Sequence, residues 1–178
     1  AFDGALLTAN RTSRKATYSV AVAALALAAS ATDVFEIKGA ANKRIEVTKI
    51  TVSGVQTTAG LVAMHLIRRS TANLTGTSTS PTPAKHDTAD ADSAATFKAY
   101  TVNPGTLGTA AGTLRIVRAP IGVATGAVQP TVIDFGTNGK PVALNSATES
   151  LVLNLAGATV TGGTLDISVE YVESAADA

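Results

Sequence analysis

Leu165-Asp166-Ile167-Ser168-Val169-Glu170-Tyr171-Val172 decides the fold: Leu165, Ile167, Val169 and Tyr171 fall on one face of an extended chain, and Asp166, Ser168 and Glu170 on the other. Strict alternation over this length is the pattern of a β-strand with one buried face. Outward from it the same pattern recurs in short β-branched runs. Segments 151–155, 132–135, 114–117 and 96–102 are bounded by turn signals at Asn138-Gly139, Gly162-Gly163 and Asn103-Pro104-Gly105. Further upstream, Phe35 and Ile37 end at Gly39. Ile45 and Val47, then Ile50 and Val52, alternate on either side of a one-residue phase shift, which predicts a bulge. Leu61 through Ile67 is apolar on both faces apart from His65, so a central strand covered on both sides is expected there.

Two segments are less regular. Residues 17–29 carry helix-favouring Ala and Leu, yet Tyr18, Val20 and Val22 and then Leu25 and Leu27 alternate. We favour a strand, with the phase change near Ala23-Ala24 absorbed by a bulge. Residues 70–91 are rich in Thr, Ser, Ala and Pro and are expected to form the longest loop, burying little surface. About eight or nine strands without a confident long helix predict an all-β chain: a single β-sandwich or jelly-roll domain over residues 17–178, preceded by an extended arm at residues 1–16. The irregular spacing of the Gly-Thr and Gly-Ala pairs excludes a solenoid or propeller.

Of the 178 residues 46% are hydrophobic but only 4% aromatic, so Val, Ile, Leu and Ala must fill the core. Each missing aromatic forgoes the ~150–250 Å² that such a side chain buries, and subunit contacts are expected to help. Lys plus Arg number 14 against 13 for Asp plus Glu. That balance argues against a nucleic-acid or membrane partner recruited by overall charge. The absence of cysteine excludes disulfides and thiolate chemistry. The Val20–Ala29 run after Arg14-Lys15 imitates a secretory leader, but we expect it to be retained as part of the fold. Ala1 fits an initiator Met trimmed from a cytoplasmically made chain, as it would also fit proteolytic maturation.

Catalytic constellations are missing. There is no Gly-x-Ser-x-Gly elbow for a serine nucleophile, and a sugar platform is hard to build without Trp. His65 is read as a hydrogen-bonded core or interface residue and His86 as a solvated loop residue. The run His86-Asp87-Thr88-Ala89-Asp90-Ala91-Asp92 is the best metal-like cluster, but it lacks the glycine and the distant glutamate of a calcium loop and is read as solvated. The Asn10-Arg11-Thr12 and Asn73-Leu74-Thr75 triplets are read as chance glycosylation matches. No catalytic, cofactor-binding or metal residue is assigned, and no cofactor is expected. The basic arm, with Arg11, Arg14 and Lys15, could touch nucleic acid or an acidic protein surface and is the candidate contact with another protein subunit.

Phe35-Glu36-Ile37-Lys38-Gly39, Ile45-x-Val47-x-x-Ile50-x-Val52-Ser53-Gly54, Arg68-Arg69-Ser70 and Ala84-Lys85-His86-Asp87, continuing through Ala99-Tyr100-Thr101-x-Asn103-Pro104-x-x-Leu107-Gly108-Thr109, resemble small structural proteins of tailed-bacteriophage virions. The similarity runs from Phe35 to Tyr171 and rests on strand and turn residues. It implies a non-enzymatic jelly-roll decoration, or cement, protein on the phage head, which binds the major capsid protein between capsomers and itself as a homo-oligomer. A homotrimer is expected, because a threefold accessory matches points where several capsomers meet. The same composition suits a tail, neck or head-fibre protein. A receptor- or glycan-binding module displayed on the particle, with its specificity in residues 70–91, is a further reading.

Overall fold

The computed structural model describes residues 15–126, 128–135 and 139–176. These form twelve strands and no helix: β1 (Ala16–Ala26), β2 (Ala31–Lys38), β3 (Lys43–Val55), β4 (Gly60–Arg69), β5 (Ser78–Thr79), β6 (Ala84–Lys85), β7 (Thr96–Tyr100), β8 (Ala110–Ile121), β9 (Thr131–Asp134), β10 (Val142–Leu144), β11 (Ser150–Ala158) and β12 (Thr164–Ala175). The count exceeds the expected eight or nine because β5, β6 and β10 are two- or three-residue pieces, too short to leave a periodic signal.

Pairing is antiparallel and nested. β1 pairs with β12, β2 with β11, β3 with β9 and β10, and β4 with β8. The nested ribbon is rolled so that β12 also lies along β3 and β11 along β4. Two sheets result: β10-β3-β12-β1-β6, with β9 also on β3, and β5-β7-β2-β11-β4-β8. They pack as a β-sandwich with the strand order of a jelly roll. The residues between β4 and β8 are an insertion whose β7 extends the second sheet beyond β2.

Both expected bulges are present. In β1 the register against β12 shifts between Val22 and Leu25. Ala24 there adopts a φ of 52°, and its N–H donates to Asp166 Oδ1 at 2.8 Å, which offsets the cost of left-handed backbone at a non-glycine residue. In β3 the extra residue is Thr48, whose Oγ1 donates to the Glu170 carbonyl at 3.0 Å. Alternation is thereby restored: Val20, Leu25, Ile45, Val47, Ile50 and Val52 all reach the core, as do Leu165, Ile167, Val169 and Tyr171 of β12.

The scarce aromatics are concentrated at one place between the sheets. Tyr18 stacks on Tyr171 with ring centroids 5.4 Å apart, Phe97 lies 5.3 Å from Tyr171, and Phe35 lies 6.2 Å from Phe97. The tyrosine hydroxyls also tie down the middle of the insertion, Tyr18 donating to the Ala91 carbonyl at 2.8 Å and Tyr171 to Ser93 Oγ at 2.7 Å.

Ile167 is 1% exposed at the centre of this core. Ile167→Asp would bury an unpaired carboxylate, a cost comparable with the ~5–15 kcal/mol that stabilises a typical domain. We expect the variant to lose its β circular-dichroism spectrum and its cooperative thermal transition; a variant that retains both would place the wrong face inward.

Candidate interaction surface

The outer face of the β5-to-β8 sheet is divided in two. Over β2 and β11 it carries charged and polar residues that are wholly buried: Asp33 at 0% exposure, Glu36 at 1%, Arg69 at 4% and Asn73 at 2%. Arg69 grips Asp33 bidentately, Nε to Oδ2 at 2.8 Å and Nη2 to Oδ1 at 2.9 Å. Asn73 Nδ2 donates to Asp33 Oδ2 at 2.8 Å and Asn154 Nδ2 to Oδ1 at 2.6 Å. Glu36 accepts the Asn73 N–H at 3.0 Å and the Tyr100 hydroxyl at 2.7 Å. Gly108 closes the network, its N–H donating to Asn73 Oδ1 and its carbonyl accepting from Arg69. The approach demands glycine, since a Cβ on residue 108 would lie 1.8 Å from the Thr71 carbonyl oxygen.

This network is a clamp and not a reactive centre, because its carboxylate oxygens are occupied by donors from within the chain and it is sealed from solvent. It anchors the start of the 70–91 segment. The expectation that this segment buries little is therefore corrected: it buries little apolar area, but Asn73 is among the most buried residues of the chain, held by hydrogen bonds. Sequence patterns missed the clamp because its members lie up to 121 residues apart and each alone resembles an ordinary turn residue.

Over β4 and β8 the same face is bare. Val62, Met64 and Leu66 point into the core, but Leu61 is 63% exposed and Ile116, on β8, 60% exposed. Leu114 is exposed as well, and Ala63, His65 and Ile67 are half-buried. The expectation that β4 is covered on both sides is thus corrected: both its edges are hydrogen-bonded, by β11 and β8, while the covering segments stop at the clamp. His65 sits mid-strand on this open face, opposite Asn154 on one side and Ile116 on the other. Apolar side chains on a sheet face that should alternate to polar make this the candidate contact surface of the chain. β8 is also an edge strand of twelve residues, and among the described residues no strand pairs with its free edge. A long open edge of this kind is a template for association.

The remaining candidates behave differently. Arg11 and Arg14 lie outside the described residues, as does residue 1–14 of the expected arm. Lys15 precedes β1, and its Nζ meets Glu46 Oε2 of the same chain at 2.6 Å; Ala16, assigned to the arm, is the first residue of β1. Burial pushes the Glu46 carboxyl up, but hydrogen bonds from Lys15 and Arg44 outweigh it and hold it below its ordinary value. In the 86–92 run the carboxylates do not converge: Asp87 Oδ1 accepts the Ala89 N–H at 2.9 Å, and Asp92 pairs with Lys85 at 2.8 Å. Among the described residues no group of three or more His, Asp or Glu could hold a metal ion. His86 Nε2 lies 2.6 Å from Ser19 Oγ, a nucleophile–base spacing. The pair stands exposed on an open strand face, and no carboxylate hydrogen-bonds the imidazole among the described residues, so it tethers β6 to β1 without the orienting acid or enclosed cleft that acyl transfer requires.

The chain matches no family model, no curated protein and no solved structure.

Two predictions follow from the polar groups. Asp33→Ala strands the Arg69 guanidinium in a buried site and should cost about 3–5 kcal/mol in urea unfolding, whereas Tyr100→Phe removes one donor to Glu36 and should cost about 1–3 kcal/mol. Burial, then the hydrogen bond to Glu36, raises the Tyr100 phenol well above its ordinary 10.0, and burial likewise raises Tyr171. A raised folded-state value means that stability is fully present below pH 10.0 and declines as pH rises past it. Unfolding should accordingly coincide with the appearance of tyrosinate absorbance; tyrosinate formation well before unfolding would contradict the buried hydroxyls.

Proposed function

We propose that this chain is a non-enzymatic structural protein of a tailed-phage virion: a decoration, or cement, protein that binds the head surface between capsomers as a homo-oligomer, expected to be a trimer, and stabilises the shell. The observation that carries the reading is the bare apolar half-face of β4 beside the open β8 edge, a surface suited to protein contact. The resemblance of the Phe35–Tyr171 strand and turn residues to such proteins names the setting. Reinforcement of this kind breaks no bond. It sums modest contacts over a symmetric lattice, where each copy held by its neighbours meets the shell at high effective concentration. Synthesis in the host cytoplasm, with the major capsid protein as partner, belongs to the same proposal.

A tail, neck or head-fibre position is the second reading, since the exposed apolar face suits any repeated protein contact. A displayed glycan-binding module is less well supported, because the chain's aromatic rings are largely spent in the core and the clamp.

The test compares particles assembled with and without the chain. Particles lacking it should form normally but rupture at lower temperature and on osmotic shock, and labelled chain should map to the head surface. Equal heat resistance, or a label confined to the tail, would overturn the assignment.

A further inference from the structure

The open face also carries a cation, Arg118, which stands opposite Ala63 on the side of the sheet that holds His65 and Ile116. β4 and β8 carry Arg68, Arg69, Arg115 and Arg118 and no acidic residue. Arg68 pairs with Glu149 at 2.8 Å and Arg69 with Asp33. Arg115 rests 5.1 Å from the Phe135 ring at the rim of the sandwich, and Arg118 has no ionic partner among the described residues. Both are exposed. Beside Leu61 and Pro120, this surface runs into an open apolar hollow of about 560 Å³ that includes Ile121, Val123 and Val128.

The opposite edge of the sandwich has the complementary sign. β6 and β5 end their sheets on the side away from β8 and β10, and the chain that joins and follows them carries Pro81, Pro83, Asp87, Asp90 and Asp92. With Asp92 taken by Lys85, Asp87 is exposed and Asp90 half-buried, and neither carboxylate has an ion pair among the described residues. The two prolines offer no backbone donors to a ladder, which leaves side-chain contact as the means of docking.

We propose that the occupant of the β4–β8 face is a second copy of this chain, docked head to tail: the Leu61, Ile116 and Arg118 surface of one copy receives the 81–92 edge of the next. A contact between two different patches is heterologous and closes into a ring when its rotation permits. The alternative, β8 pairing with β8 across a twofold axis, would give a dimer indifferent to the acidic edge. The contact rests on the self-assembly part of the function proposed above and not on the capsid part.

The test is a charge swap in the whole chain, read by sedimentation velocity with circular dichroism as the check on folding. Wild-type protein should sediment as a closed oligomer larger than a dimer. Arg118→Glu alone, and Asp87→Lys with Asp90→Lys, should each weaken association about tenfold or more. All three substitutions in one chain should restore it, because every interface is then complementary again. Leu61→Ser with Ile116→Ser, at two exposed positions, should dissociate the oligomer without unfolding it. A monomeric wild type, a dimer indifferent to the aspartate substitutions, or a triple variant no better than its parts would overturn the head-to-tail contact. An oligomer rescued by the swap that does not bind phage shells would remove the capsid assignment and leave the contact standing.

Discussion

The buried Arg69–Asp33 pair is the constraint on which the outer architecture depends. Two charges withdrawn from water are costly unless every lone pair and proton finds a partner, and here Asn73, Asn154 and Gly108 complete the set. Four separate parts of the chain must therefore meet at one point: β2 through Asp33, the end of β4 through Arg69, β11 through Asn154, and the segment after β4 through Asn73. Once they meet, the 70–77 and 101–109 segments are laid over β2 and β11, and the outer face of that sheet is divided into a sealed half and an open half.

That division explains how a chain so poor in aromatic residues builds a sandwich and still leaves apolar side chains in the open. Its rings are grouped as Tyr18, Tyr171, Phe97 and Phe35 in the core, with Tyr100 in the clamp. Aliphatic residues supply the rest. The insertion between β4 and β8 is held by polar contacts, to the clamp at its start through Asn73 and near its finish through Gly108, and to Tyr18, Tyr171 and Glu173 in its middle. Little apolar surface is used in covering β4 and β8, so Leu61, Leu114 and Ile116 remain available to another molecule.

The electrostatic arrangement serves the same division. Ion pairs on the polar sheet, such as Lys49–Glu170 at 2.6 Å and Lys15–Glu46 at 2.6 Å, neutralise a face that water can cover. On the open face Arg118 has no ionic partner among the described residues, and Asp87 lies exposed at the far edge in the 86–92 segment. The head-to-tail contact proposed above would bring these two edges together.

Local alternation by itself determined the all-β class, the strand positions and even the bulges at Ala23-Ala24 and Thr48, because a half-buried strand must show its two-residue period and any extra residue must break it. The period of Leu165 to Tyr171 is legible without a structure for that reason. It could not reveal whether the second face of β4 is covered, since apolar residues on both faces read alike whether the cover is this chain or another. Nor could it assemble the clamp, whose Asp33, Arg69, Asn73 and Asn154 are ordinary polar residues until the nested pairing brings strands from both halves of the chain side by side. The interaction surface was equally hidden, because Leu61 and Ile116 become neighbours only through the β4–β8 register, and the separation of basic and acidic edges exists only once the ribbon is rolled. Period is a property of neighbouring residues; cover, polar satisfaction and charge polarity belong to pairs that only the tertiary fold brings together.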